Sequence, residues 1–181
     1  MKLDIFTTPI AVCARLMAMA LFATCSLSAQ DHRAPALPVG SEALQVPAGN
    51  RVSHHLYAEG FQTYWWDARN GEWLFTGPVA LLYADAGRTA EFGYHSSGPV
   101  WVSNSGSGVV GQVIARSTID PDSIPWLLLR TVSTRGPGPF EPTTFVQRVN
   151  TNGGLPPARA GEPNEVVWVP YTAEYYFYRA Q

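Results

Sequence analysis

An all-β fold, a single-domain antiparallel β-sandwich or barrel of about ten short strands, is predicted by three features of the chain. Short runs rich in β-branched and aromatic residues recur at regular spacing. Turn residues punctuate them, and Asn70-Gly71 between two aromatic runs is the clearest hairpin signal. No long stretch shows the 3.6-residue period of an amphipathic helix.

The elements follow in chain order. Residues 1–29 read as a signal peptide: Lys2 and Arg15 flank a weak n-region, residues 16–27 form a short apolar run, and Ser26-Leu27-Ser28-Ala29 offers small residues for cleavage. The apolar run is too short to span a bilayer and no later stretch approaches that length, so no transmembrane segment is expected and the protein is expected to be exported, periplasmic or extracellular. Cys25 follows Thr24, where a lipoprotein signal carries a smaller residue, so lipid anchoring is not expected. Residues 30–50, with Pro35, Pro38 and Pro47, form an extended lead-in contributing at most an edge strand near residues 44–46.

The β-domain then occupies residues 51–181. Its strands are expected at residues 52–57, 61–66, 72–75, 79–83, 89–94, 100–103, 109–116, 124–132, 143–150, 166–169 and 171–178. Gly60, Asn70-Gly71, Gly77-Pro78 and Ala86-Gly87 separate the first five. Residues 79–86 have a short helix as their alternative, and Asp120-Pro121-Asp122-Ser123 could cap one helical turn. Pro125-Trp126-Leu127-Leu128-Leu129 is apolar on both faces, which predicts a strand covered on each side. In the last strand Tyr171, Ala173, Tyr175 and Phe177 share one face, expected to be core. Thr172, Glu174, Tyr176 and Tyr178 share the other, expected to be an amphipathic aromatic surface.

Charge and cysteine usage exclude several functions. The 181 residues carry 12 basic and 14 acidic side chains, for a formal charge of −2. Lys2 is the only lysine and the arginines are scattered singly, so no basic stripe suits nucleic acid and no polybasic patch suits anionic lipid. Both cysteines, Cys13 and Cys25, fall inside the predicted signal, which leaves a cysteine-free mature chain without a disulfide framework, thiolate metal site or cysteine nucleophile.

The stretch densest in chemistry is Gly93-Tyr94-His95-Ser96-Ser97-Gly98-Pro99-Val100-Trp101, read as strand, Gly-Pro turn and strand. His95, Ser96 and Ser97 then sit at a connection, where binding groups concentrate. The competing reading makes His95 a hydrogen-bonded residue that fixes the turn. Gly106-Ser107-Gly108-Val109-Val110-Gly111 matches a dinucleotide-binding fingerprint in letters only, since a strand, not a helix, follows it. His54-His55 point to opposite faces of a strand and cannot share a metal without a bulge, and no metal site or cofactor is expected. No G-x-S-x-G elbow is present. Asp67, Glu72, Asp85, Glu91 and Glu174 are candidate carboxylates for glycoside hydrolysis, against the plainer reading as solvated charges.

Several ordered stretches together carry a resemblance. They are Gly60-Phe61-Gln62-Thr63-Tyr64, Trp73-Leu74-Phe75 with residues 77–82, His95 with residues 98–101, residues 124–128, residues 147–154, and residues 169–178. In order and spacing they resemble an exported bacterial and fungal family grouped as domain of unknown function 3455, which brings no established activity. Family members carry a cysteine two positions after the tyrosine of the G-x-Q-x-Y stretch and another in a Gly-Cys pair before the final strand. Here those positions hold Trp66 and Glu162, so the resemblance implies a family disulfide that this chain lacks.

Three functional readings follow. In the first, a non-catalytic domain binds a ligand, a glycan of the cell envelope or extracellular space being one, with Tyr64, Trp66, Trp101 and Tyr176 as stacking faces and His95, Ser96 and Ser97 as polar contacts. Burial of all four aromatic rings would exclude that arrangement. In the second, a structural or interaction domain meets a protein partner through a flat aromatic patch. In the third, a hydrolase uses His95 or a carboxylate as base, which requires a second polar side chain within hydrogen-bond reach.

Overall fold

A computed structural model describes residues 33–181. The predicted signal peptide and both cysteines lie outside the described residues. Eight antiparallel strands run in sequence order around one closed barrel: β1 (Asn50–Asp67), β2 (Glu72–Tyr83), β3 (Glu91–Ser96), β4 (Val100–Ser103), β5 (Gly108–Ser117), β6 (Trp126–Arg135), β7 (Thr143–Gly153) and β8 (Val166–Ala180). Closure comes from β8 returning to β1, in register from Asn50↔Ala180 to Trp65↔Val166. A closed sheet leaves no unpaired edge along its waist.

The all-β prediction holds, and the strands are fewer and longer than the expected short runs because three pairs of runs are single strands. Residues 52–57 and 61–66 fuse through Gly60, residues 72–75 and 79–83 through Gly77-Pro78, and residues 166–169 and 171–178 through Pro170. Both prolines are tolerated for the same reason. β3 pairs with β2 only from Val79 onward, and β7 pairs with β8 only from Tyr171 onward, so Pro78 and Pro170 face no partner on one side and withhold no ladder bond. Beyond those points β8, β1 and β2 continue as a three-stranded apron past one end of the barrel. The edge strand expected near residues 44–46 is instead a short 3-10 helix, Glu42–Leu44. Residues 79–86 are strand and turn, and Asp120 holds a turn through Asp122 N and Ser123 Oγ.

Gly60 is in mid-strand because β1 and β2 approach closely there. A Cβ at Gly60 would lie 2.1 Å from the Val79 carbonyl oxygen and 2.5 Å from Ala80 Cα, both backbone atoms that no rotamer change moves. Gly60→Ala is therefore expected to destabilise the barrel by about 3 kcal/mol, at the upper end of overpacking effects. A urea denaturation midpoint within error of wild type would show that the two strands separate freely.

Two cores divide the side chains. Inside the barrel lie Leu56, Ala58, Ala80, Leu82, Trp101, Val109, Leu129, Val146, Tyr171, Ala173, Tyr175 and Phe177, so the inward face predicted for β8 is correct. Phe140, from the β6–β7 loop, is fully buried against Phe177, Phe92 and His54 and plugs the end where β8 finishes. Outside the barrel, Trp126, Leu128, Val149, Tyr176 and Tyr178 pack beneath Leu37, Leu44 and Val46 of the lead-in. Gln147 anchors this strap by donating from Nε2 to the Leu44 carbonyl at 2.7 Å. β6 is thus covered on both faces, as its sequence predicts. The aromatic face of Tyr176 and Tyr178 differs from the expected open surface because the strap covers it.

Candidate functional site

The end opposite Phe140 is open, and its inward positions change from apolar to polar. Cross-strand register places Arg148 of β7 between Leu127 of β6 and Tyr175 of β8. On the β1 side the same region receives Gln62 and Tyr64, and on the β3–β4 side His95 and Trp101. Two adjoining cavities result, of about 200 Å³ and 330 Å³, which share Phe75, Val113, Leu127 and Arg148 as common wall. The smaller reaches inward to His95, Trp101 and Tyr175, and the larger opens past Arg116 and Pro125.

Arg148 is the central charge. Its Nε and Nη2 donate to the Pro125 carbonyl at 3.2 and 2.8 Å, and no carboxylate among the described residues pairs with it. Neither cavity is lined by any Asp or Glu. Around it, Gln62 Nε2, Trp101 Nε1 and the hydroxyls of Tyr171 and Tyr175 are buried without a hydrogen-bond partner, although native interiors satisfy nearly all such atoms. Tyr171, Tyr175, Gln62 and Arg148 lie close enough to shift one another's ionisation, yet none of the Tyr171, Tyr175 or Gln62 groups reaches hydrogen-bond geometry with the others.

Burial sets the protonation states. It raises the phenols of Tyr64, Tyr171 and Tyr175 above their ordinary value, and the Arg148 charge offsets this only in part. Burial likewise pushes His95 down from 6.5 to about 3, opposed by its bond to Val100 and reinforced by Arg148. His95 is therefore a neutral imidazole at neutral pH, and Nδ1 donates to the Val100 carbonyl at 2.8 Å. That bond fixes the tautomer with a lone pair on Nε2. The ring stacks on Trp101, with centroids 4.5 Å apart and planes 4° from parallel.

The sequence-predicted site residues divide among four places. Tyr64, His95, Ser97 and Trp101 line the interior cavities, while Ser96 faces an outer groove. Trp66 and Tyr176 are elsewhere. Trp66 lies in the apron against Trp73 and Gly161, and a Cβ on Gly161 would come 2.6 Å from the indole. Gly161, the residue before Glu162, thus lies against the Trp66 indole. Tyr176 stacks on His55 at 4.0 Å on the outside of the barrel.

All four proposed stacking rings are buried: Trp101 is 1% exposed, Tyr64 6%, Tyr176 8% and Trp66 9%. An external stacking platform built from these four is therefore corrected. The side chains rejected by solvent are used for core and cavity walls, and Tyr64 spends its hydroxyl on the Gly154 carbonyl at 2.6 Å. The general-base arrangement lacks its required partner as well. His95 bonds to a backbone carbonyl and to no polar side chain among the described residues, and a conjugate acid near pH 3 makes a weak base.

Gln62, Arg148 and Tyr175, which line the cavities, and Tyr171 near them are not singled out by the sequence reading, although each lies in a stretch that carries the family resemblance. The signal was a charged residue in the inward phase of β7. It was obscured because β7 has a strap on its other face, so that inward and outward positions both mix polar with apolar.

Other polar clusters are self-satisfied. On the outer face His55 Nε2 meets Glu174 Oε2 at 2.6 Å, and Asn150 and Tyr176 also donate to that carboxylate. Burial would raise Glu174, but the bonds from His55 and Asn150 outweigh it and hold the carboxyl below its ordinary value. His54, on the opposite face, packs on Phe92. Among the described residues no three His, Cys, Asp or Glu side chains come together as a metal site would require, and no helix is long and apolar enough to cross a membrane.

Comparison with known proteins adds one finding: the family model described as protein of unknown function (DUF3455) matches residues 47–179. No curated protein and no solved structure matches the chain.

Proposed function

Because the chain belongs to the DUF3455 family of proteins of unknown function, whose match spans the whole barrel, we propose that the barrel is a non-catalytic binding domain that takes a small molecule into its open end. One observation carries this reading. Three buried polar atoms without partners, on Gln62, Trp101 and Tyr175, border cavities of ligand size, and an interior that leaves such atoms unpaired loses stability for each of them unless a visitor satisfies them. The protein would do this outside the cytoplasm, a reading supported by the apolar run before residue 29 and testable by the N-terminal mass of the exported product.

The Trp101 indole N–H is the natural reporter, being buried, unpartnered and at the cavity floor. In ¹H–¹⁵N spectra recorded against a library of small organic molecules and soluble oligosaccharides, a binder should move the Trp101 indole resonance. Binders that move only Trp168 would overturn interior binding.

A second reading rests on the outside of the barrel, where Phe61, Leu81, Tyr94 and Trp168 are 40%, 42%, 45% and 56% exposed along one groove of about 690 Å³. Such a strip suits a protein partner or a flat glycan. It favours the interaction-domain reading if the Trp168 resonance alone responds.

A further inference from the structure

The polar half of the barrel interior is specific enough to name the class of molecule it accepts, and this step rests on interior binding as proposed above. We propose that the ligand is a small amphipathic carboxylate, its charged end held by Arg148 and its apolar body by the walls the two cavities share.

The charge argument comes first. A guanidinium that is half buried and faces no carboxylate is an uncompensated cation, and burial without a counter-charge is costly. Two of its nitrogens are held on the Pro125 carbonyl, which fixes the plane of the group. The hydroxyls of Tyr171 and Tyr175 and the amide of Gln62 stand beside it, and an O–H or N–H without an acceptor is what a carboxylate oxygen supplies with lone pairs. Arg116, exposed at the rim of the outer cavity, adds a second positive charge on the way in. The chain as a whole carries −2, so this mouth is a local reversal of sign that draws anions inward.

The shape argument selects among anions. Phe75, Val113 and Leu127 form the wall common to both cavities, and Trp101, Leu129, Pro78 and Pro99 continue it inward. Such a wall offers nothing to the hydration shell of inorganic phosphate but buries an aliphatic or aromatic body. A cavity of about 150 Å³ accepts benzene, so the inner 200 Å³ admits one substituted ring or a short chain.

The experiment is a calorimetric titration of the protein with benzoate, phenylacetate and octanoate, their uncharged amides, and inorganic phosphate, repeated on Arg148→Gln and Tyr175→Phe. Carboxylates are expected to bind, their amides at least 10-fold more weakly, and phosphate more weakly still. Arg148→Gln should reduce carboxylate affinity by at least 10-fold. Tyr175→Phe distinguishes a binding role from a structural one and stands if Arg148→Gln does not fold. It removes a buried hydroxyl that has no partner, so the empty protein should be no less stable than wild type while carboxylate affinity drops several-fold. Equal affinity for acids and amides would overturn the carboxylate assignment and leave interior binding standing. Phosphate binding as tightly as octanoate would overturn the amphipathic assignment. If nothing in the panel binds, both the assignment and the interior reading fall.

Discussion

Acidification from pH 6.5 to pH 3 is expected to remove on the order of 5 kcal/mol of stability through His95 alone. The folded barrel keeps the imidazole neutral, with its pKa lowered from 6.5 to about 3, whereas the unfolded chain takes up a proton as soon as the pH falls below 6.5. In that interval the unfolded state binds more protons, so each unit of acidification favours unfolding by about 1.4 kcal/mol. Above pH 6.5 the contribution is complete and flat. The cause is burial among Trp101, Tyr175 and the like-charged Arg148, a setting with no carboxylate to welcome an imidazolium. His95→Phe, which keeps a ring on Trp101 and cannot titrate, separates this effect from that of the carboxylates. Urea midpoints for wild type and variant should diverge between pH 6 and pH 4, with the wild type the steeper. Parallel profiles would mean that His95 is reached by water.

Trp101→Ala is the second large effect, expected to lower the free energy of unfolding by about 3–5 kcal/mol. A native domain has only about 5–15 kcal/mol in all, so the variant should sit close to its folding threshold. Trp101 is 1% exposed and contacts three rings at once: His95 face to face, and Tyr175 and Phe177 edge-on with centroids 5.5 and 5.9 Å away. The opposite wall is equally close, since a Cβ on Gly111 would meet the indole at 3.1 Å. Trp101→Phe keeps a ring in the stack and discards the unpartnered N–H, and is expected to lose less than half as much. A loss under about 1 kcal/mol for the alanine variant would mean that the walls collapse into the space, contrary to the rigidity of a closed barrel.

The hairpins were legible because their chemistry is local. Asn70-Gly71 joins β1 to β2 with Gly71 at φ +68°, and Gly98-Pro99 turns β3 into β4 with Gly98 at φ +128°. The opposite faces of His54 and His55 follow from period-two logic and agree with the structure. Gly60 is paired on both sides and marks a close approach of β1 and β2, whereas Pro78 and Pro170 read as breaks but lie within strands, because a proline ends a strand only if the neighbouring strand demands its hydrogen bond. That demand is a property of the sheet as a whole, set by where β3 and β7 end.

The site shows the same limit. His95, Tyr64 and Trp101 stand out in the sequence by their side-chain chemistry, but the sequence reads them as a surface, whereas they line interior cavities. Composition cannot tell an inward aromatic from an outward one when both faces of a strand are covered. Arg148 reads as one of several scattered arginines, and its distinction, that no carboxylate among the described residues pairs with it or lines its cavities, is created only by the closed sheet.

Phe140 and the rings around it close one end of the barrel among the described residues. On interior binding as proposed, a molecule seated at Arg148 would leave by the route it entered. Exchange would then be sequential, release preceding each new capture, and the residence time would be governed by the rim where Phe75 stands 55% exposed beside Arg116. Equilibrium affinity and rate of exchange would thus fall to different residues, the first to the depth of the cavity and the second to its lip.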